Sequence, residues 1–433
     1  MNGRKKERFP SLIRNISWLG AANVAVKPFW FLFVTAACMR LLGVSGFGVM
    51  NAALSLTMIA TSFVNLGMTR YAVREVSRAP DQAPRFFSNF MVLRLGNSIV
   101  ALAGALVVAS VLSYQGNALL AVLFAGLYAV GLNVTAFCRG IYQALEDLRQ
   151  EAVMLVVEKA LVMACGLILL VTTRTAHLTL AGMAGGMVAT TALNVWWVNR
   201  HFARFSLRLL SGRFLKSSVR FMIPFGLAGL FTAVYYRVDM VMIEAMLGET
   251  SAGQYGAAYR ILEALIMLPA IVATAAVYPR LARLQSTMDR TGFTKLLRQS
   301  LVGLGGLSTL ISVALALLAP LVIRFLDPDP AYTPAVAALQ ILVWSYPFFC
   351  VNSVLYAALV SVNDETFISI FLLGAVVVNV GLNLFMIPAF GINGAAYATI
   401  APEIVLTFVY IGRMRFRMAR GAMQPQEGVS ERP

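Results

Sequence analysis

One stretch of the sequence has a diverged second copy, and this repeat decides the fold. Residues 42–78 read LGVSGFGVMNAALSLTMIATSFVNLGMTRYAVREVSR, and residues 247–283 read LGETSAGQYGAAYRILEALIMLPAIVATAAVYPRLAR. The two copies align without a gap and lie close to half the chain apart, which predicts two similar halves. The matched positions include Gly43 with Gly248, Gly48 with Gly253 and Arg78 with Arg283.

The composition places these halves in a membrane. Hydrophobic residues make up 59% of the 433 residues and charged residues only 12%, which is more apolar surface than one soluble core hides. A helix crosses about 30 Å of hydrocarbon with about 20 apolar residues. We therefore predict an all-α polytopic membrane protein with twelve transmembrane helices. The predicted segments are 14–42, 46–74, 86–112, 117–144, 152–173, 178–200, 219–247, 251–279, 299–326, 333–361, 365–388 and 393–413.

The repeat and the helix count together predict a symmetric architecture. Because six helices is an even number, both halves enter the membrane from the same side and are related by a pseudo-two-fold axis along the membrane normal. We expect an N-terminal six-helix lobe, 1–208, and a C-terminal six-helix lobe with a cytoplasmic tail, 209–433. A central cavity between two such bundles commonly supports alternating access.

The distribution of Lys and Arg predicts the orientation. Basic residues fill both termini and the loops after the second, sixth and eighth helices, whereas the opposite side holds only Arg40, Arg174 and Arg324. Short cytoplasmic loops carry such an excess, so both termini are expected in the cytoplasm. The net charge of +16 is then explained by topology and by contact with anionic membrane lipids, and no nucleic-acid partner is expected.

Charged residues also fall inside the predicted helices. A charge at mid-bilayer costs at least about 2.5 kcal/mol, so each requires a partner or a watery cavity. The first half is mainly cationic and the second mainly anionic. The basic residues are Lys27, Arg94, Arg139, Lys159, Arg237 and Arg260, and the acids are Glu158, Asp239, Glu244, Glu263 and Glu403.

Several of these charges also have a purely structural interpretation. Arg260 and Glu263, three residues apart, can form a local ion pair, and Arg94 can snorkel to the headgroups. Glu158 and Lys159 are adjacent and point about 100° apart, so we expect them not to face each other well. Glu244 and Glu403 are expected near the membrane interfaces. Lys27 precedes Pro28, which kinks a helix, and is expected to face the cavity.

Four motifs carry a resemblance to a known family. They are LGVSGFGVMNAALSL leading into NLGMTRYAVREVSR, YYRVDMVMI followed by GQYGAAYRILE, LPAIVATAAVYPRLARL, and NLFMIPAFGINGAAYATI. With them the chain resembles the multidrug/oligosaccharidyl-lipid/polysaccharide (MOP) exporter superfamily, most of all its branch of lipid-linked oligosaccharide flippases. The resemblance covers nearly the whole chain and implies export of a polyprenyl-(pyro)phosphate-linked oligosaccharide across the inner membrane. Polysaccharide polymerases and glycosyltransferases are the implied protein partners.

The resemblance also implies where the substrate binds. In the similar lipid II flippases, basic residues of the first and eighth helices line the cavity, and these positions match Lys27 and Arg260. A third basic residue, expected in the second helix, has no counterpart in MNAALSLTMIA. Lys and Arg suit a phosphate group. The candidate substrate-binding residues are Lys27, Arg139, Lys159, Arg237 and Arg260.

A site for Na⁺ is implied by the same resemblance. It would comprise Asp239, Asn379, Asn383, the Ala395 carbonyl and Thr399, in which Asn383 stands where relatives can carry a second carboxylate. The alternative is that Asn379 and Asn383 form hydrogen bonds between packed helices and that Asp239 pairs with Arg237. No cofactor is expected. The energy source is left open between coupling to a Na⁺ or H⁺ gradient, the membrane potential and the substrate gradient itself.

Two other functions remain open from the sequence. A multidrug antiporter of the same superfamily would attract cationic drugs with carboxylates, the reverse of the cationic first half. A membrane polysaccharide polymerase or glycosyltransferase would need an ordered external loop, whereas the external loops are short, and GLGG at 303–306 lacks the residues of a P-loop. We therefore expect a transporter rather than an enzyme.

Overall fold

The structure, a computed structural model, describes residues 26–419, without the side chains of residues 224, 225, 228, 267, 268 and 270. Within that range every secondary-structure element is a helix. The first part of the first predicted span, 14–25, and the N-terminal basic cluster lie outside the described residues, as do Arg420 and Arg432 near the C-terminal end.

Helix α1 contains a π-helical turn, Leu32–Ala37, and passes into the segment Cys38–Asn65. Gly43 interrupts that segment with a φ of 68°, so we name residues 26–42 α1 and residues 44–65 α2. The other helices are α3 Met68–Arg78, α4 Ala83–Val111, α5 Asn117–Ala144, α6 Leu148–Thr173, α7 Ala176–His201, α8 Gly212–Leu247, α9 Glu249–Val272, α10 Tyr278–Ser286, α11 Arg290–Leu326, α12 Thr333–Leu342, α13 Ser345–Ser361, α14 Glu365–Phe390 and α15 Ile392–Ala419.

Within the described residues, four of the twelve predicted spans are interrupted, the first of them by the π-helical turn Leu32–Ala37. The second divides into α2 and α3 at Leu66 and Gly67, which have φ values of 38° and 77°. The eighth contains a π-helical turn, Ala273–Val277, between α9 and α10. The tenth divides into α12 and α13, which are bent by 42°. Such irregular backbone at membrane depth requires packing against protein or a water-filled cavity.

The described helices are long and apolar enough for a polytopic membrane protein. Eight of them, or nine if the bent pair α12 and α13 forms one span, pass a length and hydropathy criterion. One of the eight is the 53-residue stretch Val26–Arg78. That stretch exceeds the length of one crossing and is interrupted at Gly43, so we count two spans in it. The total of twelve stays a prediction.

The two copies of the repeat share a backbone conformation and contact each other. Gly43 and Gly248 have φ of 68° and 84°, and both have ψ of 177°, a conformation that L side chains rarely adopt. The side chains of Ser45 and Thr250, 205 positions apart, form a hydrogen bond of 2.9 Å. Equivalent positions that touch each other are the mark of a two-fold contact.

Gly48 and Gly253 make the closest part of this contact. A Cβ atom on Gly48 would lie 1.9 Å from the Glu249 carbonyl oxygen, and one on Gly253 would lie 1.9 Å from the Val44 carbonyl oxygen. Only glycine fits at such a distance. The alignment of the repeat therefore has a structural reason at these positions.

The chain forms two compact units, Met1–Gly253 and Gln254–Pro433. In the first unit α7 packs on α5 and α6, and α8 packs on α2, around an aromatic cluster that includes Phe87, Phe137 and Tyr142. In the second unit α15 packs on α13 and α14. The predicted lobes, 1–208 and 209–433, follow the repeat rather than these packing contacts, and they stay a prediction.

Hydrogen bonds hold the segment between α7 and α8 against α4. Ser88 Oγ accepts from the backbone N–H of Ser206 at 2.9 Å. The Asn89 side chain donates to the Leu209 carbonyl and accepts from the Ser211 N–H, both at 2.8 Å. These contacts fix the backbone up to the residue before α8 begins.

Candidate functional site

Two cations and one carboxylate meet between α5 and α6 in the first unit. Arg139 Nη1 donates a hydrogen bond to Glu158 Oε2, and Lys159 Nζ lies 3.1 Å from Glu158 Oε1. The Glu158 side chain is fully buried, whereas the side chains of Arg139 and Lys159 keep 18% and 19% of their surface accessible. We name Arg139, Glu158 and Lys159 the basic cluster.

The expectation that Glu158 and Lys159 cannot face each other is wrong. It considered only the angle between adjacent residues on a helix. The four-carbon stem of lysine is long and flexible enough to bring its ammonium group back to the neighbouring carboxylate. The spacing predicts the directions of the Cβ atoms but not the contact that the long Lys159 side chain makes.

Helix α1 contributes an aromatic ring to the basic cluster. Lys159 Nζ lies 4.3 Å from the centroid of the Trp30 ring, the geometry of a cation–π interaction. Trp30 lies one helical turn after Lys27, and both residues are half-buried. Residues three apart share a helix face, so α1 presents Lys27 and Trp30 on the same side. Lys27 was predicted from the sequence and Trp30 was not, although the three-residue spacing could have indicated it.

Arg237 and Asp239 both lie on α8, still in the first unit. The Asp239 side chain is buried with 4% exposure, and Arg237 is half-buried. Residues two apart on a helix do not face each other, so the two side chains start from different faces of α8. Their proposed pairing stays a prediction.

In the second unit Arg260 and Glu263 form an ion pair on α9. Arg260 Nη1 donates to Glu263 Oε2 at 2.8 Å, and the two side chains are 16% and 34% exposed. The local ion pair that the spacing predicted is thus confirmed. A role of Arg260 in substrate binding stays a prediction.

The other candidate ion-coupling residues come together between α14 and α15. Asn379 Nδ2 donates to the Ala398 carbonyl at 3.1 Å, and Asn383 Nδ2 donates to Asn379 Oδ1 at 3.3 Å. Thr399 Oγ1 donates to the Ala395 carbonyl at 3.0 Å. The interpretation of Asn379 as a hydrogen-bonding residue between packed helices is confirmed by the first of these contacts. Asp239, the one carboxylate of the predicted ion site, belongs to the first unit.

The oxygen atoms of this group suit a hard cation such as Na⁺. Asn379 Oδ1 accepts a hydrogen bond, and the Ala395 carbonyl accepts one from Thr399. A bound cation would therefore have to replace hydrogen bonds that the group makes among its own members. The four predicted ligands stay a prediction.

Arg94 is completely buried in α4, so the expectation that it snorkels to the headgroups is wrong. Its guanidinium donates to the Asn133 carbonyl at 2.7 Å, to Asn65 Oδ1 at 3.1 Å and to Thr69 Oγ1 at 3.0 Å. It also lies 4.8 Å from the centroid of the Phe137 ring. Asn65 ends α2 and Thr69 lies at the start of α3, so Arg94 bridges the break between those helices.

Glu403 lies in a buried hydrogen-bonded group that the sequence did not indicate. Asn352 Nδ2 donates to Glu403 Oε2 at 2.7 Å, and Thr407 Oγ1 donates to Asn352 Oδ1 at 2.8 Å. The Glu403 side chain is 2% exposed. This group links α13 to α15. Its residues are 51 and 55 positions apart, a separation that carries no local sequence signal.

Comparison with known protein families identifies the chain. The family model described as polysaccharide biosynthesis protein matches residues 12–285. The chain belongs to this family. A second model, MatE, matches residues 224–385 of the same chain. Both families fall within the MOP superfamily, as the sequence motifs predicted. No curated protein sequence matches the chain.

Solved structures show that the chain has the MOP transporter fold. An inward-facing multidrug resistance MATE family transporter aligns with a TM-score of 0.73 and 15% identity, over 90% of this chain and 94% of that one. The lipid II flippase MurJ, inward closed, aligns with a TM-score of 0.75 and 14% identity, over 92% and 87%. A MOP superfamily transporter from Pyrococcus furiosus aligns with a TM-score of 0.58 and 16% identity, over 95% and 94%.

The predicted all-α polytopic membrane fold is therefore confirmed. The protein is a multi-pass membrane transporter of the MOP superfamily, and its structural neighbours are transporters and flippases. Since one neighbour is a multidrug resistance MATE family transporter and another is a lipid II flippase, the fold alone does not select the substrate.

Proposed function

We propose that the protein is a flippase that moves a polyprenyl-(pyro)phosphate-linked oligosaccharide from the cytoplasmic to the outer leaflet by alternating access. The observation that carries the proposal is the basic cluster with Trp30 and Lys27. One carboxylate does not neutralise two cations, and the accessible surface of the cluster belongs to the cations. A surface of this kind attracts an anionic group.

The chemistry of the cluster suits a phosphate or pyrophosphate. Arginine offers paired donors that match phosphate oxygens, and lysine acts as a point charge beside it. Trp30 adds an aromatic face of the kind that packs against the apolar face of a ring or holds a cation. Lys27, Arg139 and Lys159 are the proposed contacts in the first unit, with Arg237 and Arg260 as further candidates.

The biological setting follows from the family. A polysaccharide biosynthesis protein with the fold of a lipid flippase fits export of a lipid-linked sugar for cell-surface polysaccharide. We place it in the cytoplasmic (inner) membrane with both termini in the cytoplasm. Polysaccharide polymerases and glycosyltransferases are the proposed partners, because they produce and consume such a substrate.

A cation-coupled multidrug antiporter is the competing function, favoured by the MatE match and the MATE neighbour. The basic cluster argues against it, since a cationic drug would be repelled by surplus positive charge. A polymerase or glycosyltransferase is less well supported, because the structural neighbours are transporters and flippases.

Deletion of the gene followed by mass spectrometry of membrane lipids tests the flippase proposal. One polyprenyl-linked oligosaccharide should accumulate, wild-type protein should clear it, and Lys27→Ala protein should not. Lys216→Ala is the matched control, because Lys216 is an exposed cation outside the cluster. If nothing accumulates and the cells become sensitive to cationic drugs, the antiporter is the correct function.

We propose Na⁺ or H⁺ coupling through Asp239, Asn379, Asn383 and Thr399. The gathering of Asn379, Asn383 and Thr399 supports it, together with the burial of Asp239. The test is translocation in proteoliposomes with an imposed Na⁺ or H⁺ gradient. Wild-type protein should respond to one of the gradients and Asp239→Asn protein to neither. A wild-type rate that neither gradient changes would overturn the coupling.

A further inference from the structure

Glu158 occupies a position behind the two cations that it binds. Both of its carboxylate oxygens face a base, and the side chain has no accessible surface. Arg139 and Lys159 are the members of the cluster that solvent or a ligand reaches. An incoming anion therefore meets the two cations first and the carboxylate last.

This arrangement exceeds what a structural ion pair needs. A buried charge requires a partner, and one base suffices for one carboxylate. Here a second base, Lys159, lies on the same carboxylate and also over the Trp30 ring. The two basic side chains are held by one carboxylate and by an aromatic ring from a third helix. They form a preorganised group in which Glu158 lowers the formal charge from +2 to +1.

We propose that Glu158 is a resident counter-ion of the substrate site. In the absence of substrate it binds Arg139 through a hydrogen bond and Lys159 through an ion pair, and a phosphate group of the substrate competes for both cations when it binds. The inference rests on the proposed flippase function and adds a specificity residue to it. Glu158 itself need not touch the substrate; it is a positioning residue that acts through the two cations.

Competition between Glu158 and the substrate phosphate for the two cations lowers the affinity of the site, which favours release of the substrate. A site with two unopposed cations binds an anion tightly in a low-dielectric surrounding, and a transporter has to release its substrate on the other side. With Glu158 present, the anion competes with the existing Arg139 hydrogen bond and the Lys159 ion pair, so its binding gains less free energy. The carboxylate therefore lowers affinity for the phosphate group and excludes weakly charged competitors.

Binding of farnesyl pyrophosphate to the full-length protein in lipid nanodiscs tests the proposal. Glu158→Gln keeps the shape of the side chain and removes its charge. We expect this variant to bind the probe at least ten-fold more tightly than wild type, equivalent to about 1.4 kcal/mol, and with a steeper dependence on salt concentration. If Glu158 only positioned the cations and did not compete with the anion for them, Glu158→Gln would bind the probe more weakly than wild type.

Two further variants make the experiment decisive. Glu403→Gln removes a buried carboxylate of the second unit that binds Asn352, and it should leave the affinity unchanged. Glu158→Asp is the substitute test if Glu158→Gln protein does not fold. It keeps the charge but moves the carboxylate oxygens away from the cations, and it should give a smaller gain in affinity than the ten-fold expected for Glu158→Gln. Equal or weaker binding by a folded Glu158 variant overturns the proposal.

The outcomes separate this inference from the proposed function. If wild-type protein and every Glu158 variant fail to bind farnesyl pyrophosphate, the cationic phosphate site itself is wrong. If wild-type protein binds the probe and Arg139→Ala protein does not, but Glu158→Gln shows no gain, the flippase site stands and only the counter-ion role fails.

Discussion

The side-chain amide of Asn379 on α14 donates a hydrogen bond of 3.1 Å to the carbonyl oxygen of Ala398 on α15. Ala398 lies four residues before Pro402, which is inside α15 and has no N–H to donate. Proline thus removes the helical partner of this carbonyl, and Asn379 supplies another. The contact explains why an amide lies at this buried position.

Replacing Asn379 by leucine should destabilise the protein by about 1–3 kcal/mol, because the Ala398 carbonyl would be buried without a donor. The measurement is thermal unfolding in detergent, followed by intrinsic fluorescence. Pro402→Ala restores the N–H, so the double variant should recover much of the loss. If the two changes are simply additive, the contact does not compensate for the proline.

Arg94 should not be replaceable by lysine. Lysine keeps the charge but cannot bridge Asn65, Thr69 and the Asn133 carbonyl at once, so Arg94→Lys should cost about 2–3 kcal/mol of stability. Arg208→Lys, at an exposed arginine, is the matched control and should unfold at the wild-type temperature. Equal melting temperatures for both variants would show that the bridge across the break adds no stability.

Gly253→Ala should lower the free energy of unfolding by about 1–3 kcal/mol. Its Cβ would overlap the Val44 carbonyl and force a backbone shift where the two repeat copies meet. Gly104→Ala is the control. Nothing lies within 4 Å of a Cβ there, so this helical substitution should stabilise by about 0.5–1 kcal/mol. Thermal unfolding of the two variants should therefore shift in opposite directions.

The loop between α13 and α14 should show a dependence of stability on pH. Arg413 Nε and Nη2 donate to the two oxygens of Asp364 at 2.6 and 2.9 Å, and these hydrogen bonds hold the pKa of Asp364 below its ordinary value of 3.8. Because the folded pKa is the lower one, the stabilisation is complete above pH 3.8 and is lost as the pH falls through the folded pKa.

Asp364→Asn protein should consequently melt below wild type at pH 7, and the difference should shrink as the pH is lowered from 3.8. The measurement is a series of melting curves between pH 7 and pH 3. Asp81→Asn, at an exposed aspartate, controls for general effects of charge. A difference that stays constant down to pH 3 would contradict the role of the Arg413 contact.

The sequence predicted the helices well and the side-chain contacts poorly. The predicted fourth span, 117–144, has the same bounds as α5, because apolar length and flanking turn residues are local properties. The repeat aligned Gly43 with Gly248, and the two residues have the same backbone conformation in the structure. Neither property records which distant helix lies beside a given residue.

The misses arose where tertiary packing determines the partner. Arg94 was expected at the surface because its distance from the helix start is compatible with snorkelling; only the packing of α2, α3 and α5 encloses it. Trp30 was missed because its partner, Lys159, is far away in sequence. Of the predicted binding residues, Arg139 and Lys159 share one carboxylate, a relation that residue spacing between α5 and α6 does not contain.

Hydrogen bonds to Ser88 and Asn89 of α4 hold the segment between α7 and α8 in place, so this segment is not a flexible linker. A flexible tether would let its two ends drift over a distance that grows with its length, but here the last hydrogen-bonded residue, Ser211, directly precedes the first turn of α8. Displacing the N-terminal end of α8 therefore requires either breaking these hydrogen bonds or moving the start of α4 with it. The segment 202–211 therefore links movement of α8 to movement of α4. Cleaving or lengthening this segment would let α8 move without α4, and it would change no charged residue inside the membrane.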